Sequence, residues 1–269
     1  MAARLDTRRF RFHRPGPQRQ AGGYAFTLIE LLVVIAILSV LVTLLLPSLR
    51  RARGRARDVL CAGQLRHIGL GWQMYLQDSK EAFPVWRQNM HWFYGGRHPA
   101  IVNDAEAGKS SFMLSYRPLN HYVGMMVENE RGLGLFRCPA DRPIGDPDGG
   151  QGVTRGHTTY DYFGNSYMMN WTLLVPIDTE TGREQMGETF YLNDVEIPAS
   201  ELVLAADCQW YYTVADARWD AHFHNTEDQM NVLFLDGHAS FLQLVRGESA
   251  TPDYTFWPYQ PEEEEEEEP

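Results

Sequence analysis

Residues 26–46 read FTLIELLVVIAILSVLVTLLL, 21 positions from Phe26 to Leu46 with one charge, at Glu30. As an α-helix the run is about 31 Å long at 1.5 Å per residue, which matches the ~30 Å hydrocarbon core of a bilayer. A cleaved secretory signal is the competing reading, but its apolar region spans only about 7–15 residues and closes on a small-residue cleavage site. Here Pro47, Ser48 and a cluster of arginines follow instead. The expectation is a retained single-pass membrane helix. Glu30 is its anomaly, because a carboxylate inside such a helix costs about 2.5–3.5 kcal/mol on insertion scales and calls for a partner. Either it lies shallow, near the interface, or it pairs with a cation on a neighbouring subunit.

Outward from this segment the charge is uneven. Arg4, Arg8, Arg9, Arg11, Arg14 and Arg19 precede it, and Arg50, Arg51, Arg53, Arg55 and Arg57 follow it. The positive-inside rule therefore does not decide the orientation. The 269-residue chain carries a net charge of −11, and without the run Glu262–Glu268 it would carry −4. With 44% hydrophobic and 22% charged residues, the chain as a whole is not of the disordered class. Its acidity argues against nucleic acid as a partner. Three cysteines, Cys61, Cys138 and Cys208, are too few and too dispersed for a disulfide-dense scaffold or a CxxC zinc site.

Beyond the arginines the helix is expected to continue to Asp78. Cys61, Leu65, Ile68, Trp72 and Tyr75 recur at helical spacing and form an apolar stripe, while Gln64, Arg66, His67, Gln73 and Gln77 lie opposite. Gly69 and Gly71 each cost about 1 kcal/mol relative to alanine, so a close contact or a local bend is expected there. Phe83-Pro84 marks the exit. Residues 85–135 lack clear periodicity, and Trp86, Trp92, Phe93, Tyr94 and Tyr116 suit either a satellite of the core or an exposed contact surface. Residues 139–157, rich in glycine and proline, read as a loop. Farther on, ELVLAAD (201–207) reads as a buried strand. The stretch NVLFL-DG-HASFL (231–242) reads as a hairpin closed by a two-residue type I′ turn at Asp236-Gly237. The glutamate run reads as a solvated, self-repelling tail.

The stretch Ala25-Phe26-Thr27-Leu28-Ile29-Glu30 and the apolar residues after it resemble the cleavage and methylation segment of type IV prepilins and type II secretion pseudopilins. The resemblance implies a basic leader at residues 1–25 and cleavage between Ala25 and Phe26 by a prepilin peptidase, where the family usually has glycine at the position of Ala25. It implies methylation of the Phe26 amine, a helix kink at Pro47, and an assembly role for Glu30 against the amine of an adjacent subunit. The implied location is the inner membrane, with the C-terminal head in the periplasm. Implied partners are the peptidase, sister subunits, an inner-membrane assembly platform and lipid. Cys138-Pro139-Ala140-Asp141, Ser166 to Asn170, and His224 with Asp236-Gly237 beyond an eleven-residue spacer resemble a subgroup defined by a C-terminal histidine, a spacer and Asp-Gly.

The expected fold is α+β. A leader (1–25), a membrane helix (26–46), its continuation (47–84), an α+β head with an antiparallel sheet (85–247) and a disordered acidic tail (248–269) follow one another. Cys61 and Cys138 are a candidate disulfide. Asp207, His222, His224, Asp236 and His238 are candidate metal ligands. Calcium is the favoured ion, zinc is the alternative, and hydrogen-bonded histidines with no metal at all are the plainer reading. No Gly-x-Ser-x-Gly, His-Glu-x-x-His or phosphate-loop motif occurs. No enzyme is therefore expected. The leading functional reading is a structural filament subunit. The others are a membrane-tethered periplasmic module binding a glycan or protein, suggested by seven tryptophans, and a tethered metal-dependent hydrolase.

Overall fold

A computed structural model describes residues 27–85, 94–97, 117–124, 133–142, 158–178, 183–185, 187–216, 223–224 and 228–260. The chain divides into two units, Met1–Leu49 and Arg50–Pro269. Helix α1, Leu28–Asp78, runs through both with Pro47 inside it. In the first unit every described residue is exposed. A helix that is apolar on all sides and buries none of them in its own chain is built for lipid or for a partner.

In the second unit α1 is amphipathic. Cys61, Leu65, Ile68, Trp72 and Leu76 are buried, and Tyr75 packs against the same core. Gly69 and Gly71 permit close approach rather than a bend. A Cβ on Gly69 would stand 3.0 Å from Leu233 Cδ1, and one on Gly71 would stand 2.8 Å from Val123 Cγ1. The flanking polar residues are not purely solvated. Gln64 Nε2 donates to Gly134 O at 2.7 Å, Arg66 to Ala239 O at 3.1 Å and Gln73 to Asp236 O at 3.1 Å. The helix stops at Asp78, where the sequence pattern ends it, and the rest of the segment assigned to its continuation, residues 79–84, is turn and extended chain. Lys80 and Glu81 take positive φ and Glu81 N–H donates to Leu76 O at 2.7 Å. This is the six-to-one bond of a left-handed helix end.

The main sheet is antiparallel, in the order β1 (Tyr167–Met169), β4 (Val203–Asp207), β5 (Gln229–Phe234), β6 (Ala239–Gln243). Strand β4 is buried at all five positions, as a central strand covered on both faces must be, whereas edge strand β6 is partly exposed. Two small pairs complete the set, β2 (Ile177–Asp178) with β3 (Arg183–Glu184) and β7 (Ala250–Thr251) with β8 (Tyr254–Thr255). Short helices α2 (Thr159–Phe163) and α3 (Trp210–Val214) precede β1 and follow β4.

Two expectations are corrected here. The β5–β6 connection is not a type I′ turn. Gly237 N–H donates to Phe234 O at 2.9 Å and Phe234 N–H to His238 O at 2.9 Å, with Gly237 at φ 92° and Asp236 outside the positive-φ region. That is a three-residue loop, a type I turn followed by a left-handed glycine. Asp-Gly suits both turns, so the dipeptide alone does not separate them. The second correction is that residues 248–260 are no tail. Phe256 stacks on Trp210 with ring centroids 4.3 Å apart, and its carbonyl accepts from Asn170 Nδ2 at 2.9 Å and Thr172 Oγ1 at 2.7 Å. Tyr254 and Phe256 supply apolar area that the polar composition of the segment disguises. The glutamate run, the leader, His222, and the aromatics Trp86, Trp92, Phe93 and Tyr116 lie outside the described residues. Tyr94 is in the core, 5.6 Å from the Trp72 ring.

Candidate functional site

The chemistry-bearing residues fall into three places. The first is the start of α1. Ala25 and Phe26 lie outside the described residues, and Thr27 is the first that is described. Glu30 Oε2 accepts from Thr27 N–H at 2.9 Å and from Thr27 Oγ1 at 2.7 Å, while Thr27 Oγ1 accepts from Glu30 N–H at 3.3 Å. These reciprocal bonds are a capping box, which satisfies backbone donors that a helix start otherwise leaves unpaired. Oε1 takes no hydrogen bond among the described residues. Glu30 thus has a local structural role that its isolation in an apolar run conceals.

The second place is the β5–β6 turn. His238 Nδ1 stands 2.6 Å from Asp236 Oδ1, and its ring stacks on Phe234 at 4.2 Å. Both side chains of the pair are more than a third exposed. They hold each other and the turn.

The third is buried. His224, whose side chain is fully shielded, places Nδ1 2.6 Å from Asp58 Oδ1 and Nε2 2.9 Å from Asp207 Oδ2. Asp207, the last residue of β4, also accepts from Asn231 N–H of β5 at 2.8 Å. Cys138 Sγ is 3.7 Å from His224 Nε2, and Cys138 is joined to Cys61 by a disulfide. Burial opposes a charge on His224, but Asp207 and then Asp58 outweigh it, so the imidazole pKa stands above its ordinary value. Removing the imidazole would leave the Asp207 carboxylate without its counter-charge in a medium where that is costly. Two oxygens, Asp207 Oδ1 and Asn231 Oδ1, are buried with no hydrogen-bond partner among the described residues.

Of the five candidate metal ligands, Asp207 and His224 meet, Asp236 and His238 pair with each other at the turn, and His222 lies outside the described residues. Neither Asp58 nor Asn231 is singled out by sequence. Asp58 has a legible signal, standing three residues before Cys61 and so on the same side of the helix. The disulfide closes a loop of sequence separation 77, with Cα atoms 5.4 Å apart. On the chain-entropy account a loop of that size stabilises by about 4.5 kcal/mol. It ties α1 to the segment that carries Asp141. There Asp141 accepts from Thr159 N–H at 3.1 Å and Tyr160 N–H at 2.8 Å at the start of α2, and from Ser166 Oγ at 2.7 Å. Desolvation nevertheless lifts its carboxyl to about 6. Cys208 is buried, Thr159 Oγ1 is 3.5 Å from its sulfur, and burial pushes its thiol well above the ordinary range, which makes it inert.

Comparison with known families falls on the N-terminal region. Residues 24–46 match the family described as the prokaryotic N-terminal methylation motif. Over 54 residues the chain is 44% identical to the type IV wide pilus major component PilA4 of Thermus thermophilus. That match takes in 20% of this chain and 41% of the relative, so the chain spans about two fifths of the length of the curated relative it matches. No solved structure matches the chain.

Proposed function

We propose that this type IV prepilin-like chain is a structural, non-enzymatic subunit of a pilus-like filament, held in the inner membrane by α1 until assembly. The observation that carries the reading is the described part of the first unit, residues 27–49: an apolar helix, exposed on every side, whose one charged residue is Glu30. Lipid is a suitable environment for it, and so is a bundle of identical helices, so the same surface serves the precursor and the filament. The relative's identity as a pilus component favours a pilus-like assembly over a type II secretion pseudopilus.

In this reading prepilin peptidase cuts between Ala25 and Phe26 and the new amine is methylated. Glu30 Oε1 then meets the Phe26 ammonium of the adjacent subunit while Oε2 keeps the cap. A buried carboxylate and a buried ammonium that pair remove each other's uncompensated charge. The second unit faces the periplasm. The Cys61–Cys138 disulfide supports this orientation, since such bonds persist in oxidising compartments. Sister subunits, the assembly platform and lipid are the partners. Mass spectrometry of the native protein extracted from membranes tests the reading. The expected N-terminus is methylated Phe26, and a chain still beginning at Met1 in assembled filaments would refute the processing step.

A further inference from the structure

We propose that the dithiol form of this chain binds one zinc ion through Cys61 Sγ, Cys138 Sγ, His224 Nε2 and Asp207 Oδ2, so that disulfide and metal are alternative closures of the same site. Ligand atoms of Cys61, Cys138 and His224 all lie within 4.8 Å of one another, and all three residues are buried. Asp207 Oδ2 adds an oxygen 2.9 Å from His224 Nε2. Three donors from three separate segments thus surround one point, and the Asp207 carboxylate adjoins it beside His224. Two thiolates, an imidazole nitrogen and a carboxylate oxygen form a set whose softness and number suit a tetrahedral zinc ion. Calcium, which takes six to eight oxygens, does not suit two sulfurs and a nitrogen.

Two further observations point to a cation. Asp58 already holds His224 Nδ1 at 2.6 Å. That is the outer carboxylate which fixes the tautomer of a zinc-bound histidine and leaves Nε2 as the ligand atom. Asp207 is fully buried, and its second oxygen has no partner among the described residues. In the dithiol form a divalent ion offsets two of the three negative charges on this carboxylate and the two thiolates.

The chain is made with thiols, so the metal form precedes oxidation. Returning from the disulfide takes two electrons and two protons, supplied by an external dithiol that closes to its own disulfide. Zinc then displaces both thiol protons to solvent. Either closure fastens α1 to the segment at Cys138.

The test uses the full-length protein in detergent, oxidised or reduced with a phosphine, and titrated with Co2+ as a spectroscopic stand-in for zinc. The reduced protein should take up one equivalent and show the intense visible bands of a tetrahedral site together with sulfur-to-cobalt charge transfer. The oxidised protein should show neither. Zinc should displace the cobalt. Asp58→Asn, at a partly exposed position, should weaken zinc binding by about 10–100-fold, and Cys208→Ser should leave it unchanged. The proposal is overturned by a reduced protein without the cobalt bands, whether folded or unfolded. Bands that persist in Cys61→Ser, or an Asp58→Asn affinity equal to wild type, also overturn it. None of these outcomes depends on N-terminal processing or filament formation.

Discussion

The imidazole of His224 bridges Asp58 on α1 and Asp207 at the end of β4, with Nδ1 2.6 Å from one carboxylate and Nε2 2.9 Å from the other. The pairing carries the helix–sheet contact across a buried polar seam. His224→Ala should therefore destabilise the oxidised protein by about 3–5 kcal/mol, because it leaves Asp207 buried without its counter-charge. Asp58, partly exposed, should matter less, and Asp58→Asn should cost about 1 kcal/mol or below. Denaturant unfolding of the oxidised variants measures both, and an equal loss in the two would contradict the asymmetry of burial.

Asp141 sets a pH dependence. Its carboxyl stands at about 6 in the folded chain against an ordinary value of 3.8. The folded state thus holds its proton more tightly than the unfolded state does, and the stability it contributes grows as the pH falls from about 6 towards 4. His224, also raised, works in the same direction at its own, higher titration. Thermal unfolding of the wild type should occur at a higher temperature at pH 5 than at pH 7.5. In Asp141→Asn that difference should shrink. A variant with an undiminished difference would place the effect elsewhere.

Glu30 has two roles that separate cleanly. Glutamine can still accept from Thr27 and complete a capping box, but it carries no charge. If the charge serves assembly, Glu30→Gln and Glu30→Ala should both be cut, methylated and inserted in the membrane, and both should be missing from filaments. Filaments containing the glutamine variant at wild-type levels would leave only the cap, whose loss costs about 0.5–2 kcal/mol.

The helix glycines should respond in opposite directions. Nothing lies within 4 Å of a Cβ built on Gly54, whereas one on Gly71 meets Val123 Cγ1 at 2.8 Å. Gly54→Ala should stabilise by up to about 1 kcal/mol through helix propensity. Gly71→Ala should lose about 1–2 kcal/mol net, as overpacking outweighs the same gain. Paired denaturation curves decide it.

Much of this architecture is readable from periodicity. The all-round apolar run and the stripe from Cys61 to Trp72 differ in pattern, and the structure treats them differently. The run of residues 201–207 announces a strand covered on both faces, and Asp236-Gly237 announces a reversal. What periodicity does not carry is the partner of each polar group. Asp58 on α1 meets His224, 166 residues later, a relation no local pattern encodes. Nor does composition reveal that Phe256 is hooked by Asn170 and Trp210, because two aromatics in a polar segment look like solvated chain until their pocket is known. The separation of Asp236 and His238 from Asp207 and His224 has the same cause, since histidine and aspartate spacing in sequence says nothing about which end of a strand they occupy.

The Cys61–Cys138 bridge has a mechanical consequence. Cys61 sits 17 positions before Asp78, the last residue of α1. Tension drawn along that helix reaches the β-rich part of the molecule through sulfur before it reaches the turn at residues 79–82. Peeling residues 61–78 away from their bed therefore requires covalent rupture or reduction, and a fibre made of such units would bear load through a strap rather than through packing alone.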